Sequence, residues 1–282
     1  MPELPEVETM RTQLDKFLSG HKLERVEVKN SKVFTGDVKN IEGSKFLKVR
    51  RFAKVTSIDL SSGYSILTHV KLTGQYIYRG PNLKSPGILS KKVAGGVPGV
   101  HTHVIFHLDK GGILYYNDIR RFGWIRVIKT SEVENEPFIK KLGPEPFAGL
   151  TLDNFRQALS KSGRPIKVIL MDQEKIGGVG NIYANDALWL SKINPKRKSN
   201  LLTEDEIKDL YDAVHTVLKA GLKYGGASEL AFVTPDGNEG EYQNHTLVFN
   251  HTGEVCDRCK KQKIEKYFLG GRGTYWCSIC QK

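Results

Sequence analysis

Cysteine is absent from the first 255 residues of this 282-residue chain, and all four copies fall in the last 27. A disulfide-stapled scaffold is therefore excluded for nearly the whole molecule, and stability must come from a hydrophobic core, for which 39% apolar residues suffice. Long apolar runs are also missing: none approaches the ~18 residues needed to span a bilayer. The opening MPELPEVETM has neither the basic nor the apolar region of a secretion signal. A cytoplasmic location is expected. Acidic residues are the third shortage, with 31 Asp and Glu against 43 Lys and Arg, a net charge of +12. That balance favours a polyanionic partner, nucleic acid first, over a membrane or an acidic metabolite. A basic surface that serves only solubility is the competing reading.

The length suits two domains, and the hydrophobic periods divide the chain in an α+β pattern. Val7, Met10, Leu14, Phe17 and Leu18 follow helical spacing from Pro5 to Leu18, with Gly20 as the stop. From Leu23 to Val127, short alternating runs between Gly, Asn and Pro turns predict a β-sandwich or barrel. An N-terminal domain over residues 1–130 therefore precedes a Pro-, Gly- and Glu-rich linker at 131–149, where Gly143-Pro144-Glu145-Pro146 can continue neither helix nor central strand. Residues 150–225 carry helix signals: Thr151 as a cap, Pro165 in a first turn, and Thr203 with Glu206 as a capping box. Residues 226–252 have no clear period and read as a long loop, leading to a terminal hairpin at 253–282.

Cys256-x2-Cys259 and Cys277-x2-Cys280, separated by 17 residues, have the spacing of a four-thiolate zinc site. Four protein thiolates leave no open position, so one structural Zn2+ is expected. Lys260, Lys261, Lys263, Lys266 and Arg272 lie between the pairs, where a metal-stapled hairpin would offer cations to phosphates. At the other end, removal of Met1 would expose Pro2, whose secondary amine can attack an aldehyde carbon and form an iminium; Glu3 beside it can move a proton. Taken alone, Pro followed by Glu is also ordinary helix-start chemistry. Gly177-Gly178-Val179-Gly180 supplies a turn and Asn181 opens a helix whose N–H groups suit a phosphate, with Lys167 available to neutralise the same strand.

Pro2-Glu3-Leu4-Pro5-Glu6-Val7-Glu8-Thr9 resembles the amino-terminal signature of formamidopyrimidine-DNA glycosylases, and the four-cysteine hairpin is similar to their C-terminal finger. Gly143-Pro144-Glu145-Pro146, Pro165-Ile166-Lys167, Met171-Asp172-Gln173 and Gly178 to Tyr183 resemble that family's helix-two-turn-helix region, so the likeness spans nearly the whole chain. The resemblance implies a monomeric base-excision repair enzyme acting on damaged double-stranded DNA. It implies a sandwich with an N-terminal helix, a helix-two-turn-helix domain, a lesion-recognition loop and a zinc-bound hairpin. It assigns Pro2 as Schiff-base nucleophile, Glu3 as proton donor or relay, Lys54 as catalytic lysine, Arg272 for the second elimination and Glu6 as an active-site carboxylate. Leu72, Arg120 and Phe122 match the residues that fill the void left by a flipped nucleotide, Leu72 standing where the family usually has methionine. His101, Arg164, Lys167 and Asn181 match DNA-backbone contacts, and Arg121 is a weaker candidate; a turn or core role for His101 stays open.

The amino-terminal signature and the Arg-Arg-Phe wedge favour oxidised purines as substrates. An endonuclease VIII-like preference for oxidised pyrimidines and a non-catalytic damage-binding protein remain the alternatives. Leu230, in Gly225 to Val233, stands where the family commonly has an arginine, while Phe232 keeps the aromatic element and Glu229 adds a negative charge. Excision of ring-opened formamidopyrimidines is therefore the expectation, and 8-oxoguanine is left open.

Overall fold

The computed structural model describes residues 1–84 and 87–282. It divides into two units: Met1–Lys140 with Leu222–Gln243, and Lys141–Gly221 with Asn244–Lys282. The long loop expected at 226–252 is thus shared out, its first part belonging to the N-terminal unit and the remainder to the second.

In the first unit, helix α1 (Leu4–Leu18) begins at Glu3 with Pro5 in its first turn. It buries Leu4, Val7, Met10, Leu14, Phe17 and Leu18, the helical stripe anticipated from the sequence. Gly20 follows at φ +77°, which an L side chain resists. Nine strands come next: β1 (Leu23–Val28), β2 (Phe34–Thr35), β3 (Phe46–Phe52), β4 (Val55–Leu60), β5 (Tyr64–His69), β6 (Gly74–Arg79), β7 (Thr102–Leu108), β8 (Ile113–Asp118) and β9 (Trp124–Lys129). They form a four-stranded sheet in the order β1-β7-β8-β6 and a five-stranded sheet in the order β2-β9-β5-β4-β3, the expected sandwich. Val26, Val49, Ile58, Ile66, Tyr76, Val104, Phe106, Tyr116 and Ile125 pack with the apolar face of α1 in one core. Short helix α2 (Pro137–Lys140) follows, and Ile139 buries against Val55, Leu67 and Val133.

The second unit holds α3 (Leu152–Ser160), α4 (Ile166–Leu170), α5 (Asn181–Leu190) and most of α6 (Glu204–Lys223). Thr151 accepts from the Asn154 N–H while Asn154 bonds back to Thr151 N; Thr203 and Glu206 do the same for α6. The chain ends in the hairpin β10 (Glu265–Leu269) and β11 (Arg272–Trp276). Its two-residue turn, Gly270 and Gly271, has φ of +57° and +72°, the left-handed pair that a tight hairpin requires. The two glycines before Arg272 therefore serve the turn. Among the described residues no helix is long and apolar enough to cross a membrane.

Candidate active site and nucleic-acid interface

Pro2, Glu3 and Glu6 are buried at the start of α1, and the nitrogen of Pro2 is in peptide linkage to an exposed Met1. Glu6 does two jobs there. One carboxylate oxygen accepts from Glu3 N at 2.7 Å and closes a capping box; the other accepts from Ala227 N at 2.7 Å. The side chain thereby joins the helix N-terminus to the loop after α6. Gly226 sits at φ +86°, and a Cβ there would lie 2.8 Å from Glu6 Cγ, so glycine is required at this approach.

Lys54 lies not in a strand, as its surroundings suggested, but in the two-residue turn between β3 and β4, where Ala53 takes φ +49°. It is only 4% exposed. Arg51 fixes this turn against α1: its Nε donates to Glu8 Oε2 at 2.8 Å and its Nη1 to Ala53 O at 3.1 Å. His69, buried at the end of β5, carries no motif in the sequence that singles it out. Burial, followed by the charges of Lys71 and Lys54, pushes the His69 imidazole down to about 3, so it is neutral at working pH. Its Nδ1 accepts from Lys71 N at 3.0 Å, which leaves the proton on Nε2.

Two loops of the first unit carry the void-filling candidates, and Asp118 organises both. Gly74 N closes a turn onto Val70 O at 2.9 Å, Lys71 takes φ +50°, and Leu72 is left half-buried at the tip. Asp118 accepts from Thr73 Oγ1 at 2.5 Å, and from Arg120 N and Gly123 N at 3.2 and 2.8 Å. Gly74 and Asp118 are register partners in β6 and β8, so the Leu72 turn and the 119–123 turn leave adjacent strands together. Arg120 stacks on the Phe122 ring at 4.6 Å, and Phe122 is 58% exposed, a large apolar ring held out in solvent. Arg121 is exposed at φ +57°. His101 is half-buried, and its imidazole bonds to none of the described residues; the buried neighbour His103 is the one tied down, to Asp118 O at 2.8 Å.

In the second unit an open cavity of about 380 Å³ is lined by Arg164, Lys167, Met171, Gln173, Gly270 and Arg272 among others. Arg272 is exposed on β11, and Arg164 is exposed with a 3.1 Å contact to Asp172. Lys167 is fully buried, and its ammonium donates to Gly273 O at 2.7 Å and Thr274 Oγ1 at 2.8 Å. A buried ammonium held by two acceptors helps set the position of the strand bearing Arg272. Asn185 assists through its Oδ1, which accepts from Tyr275 N at 2.9 Å, and its amide donates to the carbonyl of Asn181, the first residue of α5, at 2.6 Å.

The sulfurs of Cys256, Cys259, Cys277 and Cys280 all lie within 4.8 Å of one another. Cys256 to Cys280 is 3.8 Å and Cys259 to Cys277 is 3.7 Å. Disulfides would require ~2.05 Å. Four sulfurs arranged tetrahedrally at ~2.3 Å from one centre stand about 3.8 Å apart, so these residues fit a single four-coordinate metal ion. Arg258 anchors this knuckle to the end of α5, donating to Trp189 O at 2.7 Å and Leu190 O at 3.1 Å.

A sandwich whose N-terminal helix carries buried carboxylates, together with a helical unit ending in a four-cysteine hairpin, is the architecture of the DNA glycosylases of the helix-two-turn-helix class that the chain matches. Residues 1–125 match the formamidopyrimidine-DNA glycosylase N-terminal domain and residues 142–232 the formamidopyrimidine-DNA glycosylase H2TH domain. The chain is 39% identical to the formamidopyrimidine-DNA glycosylase of Pelotomaculum thermopropionicum, over 100% of its own length and 99% of that protein. Among solved structures it is similar to a Lactococcus lactis Fpg variant in complex with Fapy-dG-containing DNA, at 32% identity and a TM-score of 0.86 with both chains fully covered. It is equally similar to the wild-type Lactococcus lactis Fpg in complex with DNA containing an oxidised pyrimidine, at 33% identity and a TM-score of 0.85 with full coverage of both. The chain belongs to the formamidopyrimidine-DNA glycosylase family, whose members are base-excision repair enzymes with glycosylase and abasic-site lyase activity.

Proposed function

We propose that this chain excises ring-opened formamidopyrimidines from duplex DNA and then nicks the abasic strand, using Pro2 as nucleophile. With Met1 removed, the Pro2 nitrogen bonds to C1′ as the glycosidic bond breaks and the base departs with a proton. Glu3 is suited to deliver a proton to the sugar-ring oxygen, whose opening leaves an iminium at C1′. Loss of a C2′ proton expels the 3′ phosphate, and a further proton loss expels the 5′ phosphate. Lys54 serves at the sugar, and Arg272 assists the second elimination. Leu72 fills the vacated stack, with Arg120 and Phe122 on the orphaned partner, and His101, Arg164 and Asn181 serve the DNA backbone. One structural Zn2+ on the four thiolates keeps the hairpin folded. The enzyme works as a monomer in the cytoplasm.

One observation carries the substrate assignment. The segment that Glu6 ties to the catalytic helix contains five successive backbone donors, Glu229 to Val233, that bond to no described residue. Donors of this kind can meet a base carbonyl without any arginine, so Leu230, 61% exposed, need not abolish recognition. Lacking that charge, the site is expected to favour formamidopyrimidines over 8-oxoguanine. The oxidised-pyrimidine complex of the Lactococcus lactis relative keeps a second reading in play. Single-turnover excision on matched duplexes containing formamidopyrimidine, 8-oxoguanine or an oxidised pyrimidine tests this. Formamidopyrimidine is expected to be fastest, and a clear preference for the pyrimidine would overturn the assignment.

A further inference from the structure

The loop after α6 is held at both ends within the first unit. At its start, Ala227 N bonds to Glu6 and Ser228 N to Gln243 Oε1 at 2.7 Å. At its far end, Tyr78 N donates to Pro235 O at 2.7 Å, Arg79 Nη1 to Asp236 O at 2.9 Å, and Ser90 N to Gly237 O at 2.9 Å. Between these anchors one cation reaches both arms: Lys92 Nζ donates to Ser228 O and, at 2.6 Å, to Glu239 Oε2. Ser90 Oγ supports the other oxygen of Glu239 at 2.5 Å, and Lys92 with Ser90 holds that carboxyl below the usual range. Gln75 Nε2 donates both to Ala231 O at 2.5 Å and to Lys92 O at 2.9 Å, so a single amide ties the Lys92 backbone to the middle of the loop. Val93 packs in one apolar cluster with Val233, Ile77, Ile105 and Tyr115.

From this network we infer that Lys92 is a positioning residue for base recognition: by clamping the Ser228 carbonyl to the Glu239 carboxylate, it orients the loop's backbone donors toward the extruded base. The inference rests on the reading of this loop given above. A peptide unit is planar, so fixing the Ser228 C=O fixes the direction of the Glu229 N–H, the first of the five free donors. Gln75 does the same for the Phe232 N–H through Ala231 O. Ala231, Phe232 and Val233 are buried, which leaves Glu229 and Leu230 as the segment able to swing. The pair Lys92 and Glu239 thus sets how well the loop grips a base and has no part in chemistry at the sugar.

The test compares single-turnover excision of formamidopyrimidine with strand nicking at a preformed abasic site, in the full-length processed protein. Lys92→Met is expected to slow excision about tenfold, the worth of one charge-assisted hydrogen bond, and to leave nicking within about threefold. Lys92→Arg is expected to restore most of the excision rate, since it keeps the charge and the donors. Parallel loss of excision and nicking, accompanied by a fall in Tm, would reduce Lys92 to a structural residue and overturn the inference. A second variant that deletes Glu229 and Leu230 separates the two readings. Unchanged excision in the deletion refutes the loop's role in base recognition. Impaired excision there, with Lys92→Met behaving as the parent, refutes the role of Lys92 alone.

Discussion

Glu6 offers the sharpest perturbation, because its two oxygens join a helix cap to a distant loop by accepting from the backbone N–H groups of Glu3 and Ala227. Replacing it with alanine removes the reciprocal half of the capping box, which is worth about 1 kcal/mol. It also strands the Ala227 N–H inside the protein, where residue 227 is only 4% exposed, at a further cost of about 1–3 kcal/mol. A loss of roughly 2–4 kcal/mol follows for the N-terminal unit, or about 4–16 °C in Tm. Glu6→Gln keeps one acceptor but turns an NH2 toward the other backbone donor, so about half the loss is expected. Urea unfolding followed by the fluorescence of Trp124, together with calorimetry, reads this out. Glu6→Ala within about 0.5 kcal/mol of the parent would refute the bridge.

Two further outcomes follow from the geometry. Metal analysis of purified protein should find one zinc per chain, and serine at Cys256 or Cys280 should release it and unfold the hairpin while the N-terminal unit keeps its own transition; a metal-free preparation with full activity would contradict this. Leu72→Ala should slow processing of lesions in duplex DNA more than nicking of single-stranded abasic DNA, because only the duplex leaves a void to fill, and equal losses on both would remove Leu72 from the wedge.

What was legible in the sequence was local. The limits of α1, the cap at Thr151 and the capping box at Thr203 were readable because their hydrogen bonds join residues three apart. The four-cysteine cluster was readable because thiolate spacing is short on both sides of a hairpin. The turn at Ala53 and Lys54 was hidden, since Phe52-Ala53-Lys54-Val55 contains no Gly, Asn or Pro to announce it. The anchoring of Lys167 was hidden because its acceptors, Gly273 and Thr274, lie more than a hundred residues away. The same reason concealed the loop after α6: residues 226–243 show no periodic pattern, and their order comes from Glu6, Gln75 and Lys92 in remote parts of the chain. Asp118, which sets the geometry of both wedge loops, was overshadowed by Arg120 and Arg121 just after it.

The central claim is that the amine of Pro2 attacks the damaged nucleotide, and borohydride trapping on an abasic duplex tests it most directly. Protein with Met1 removed should form a covalent adduct whose mass and peptide map place DNA on Pro2. Protein retaining Met1 should form none, because an amide nitrogen has no lone pair available for carbonyl attack. Equal adduct yields from the two forms, or an adduct mapped to Lys54, would contradict the account.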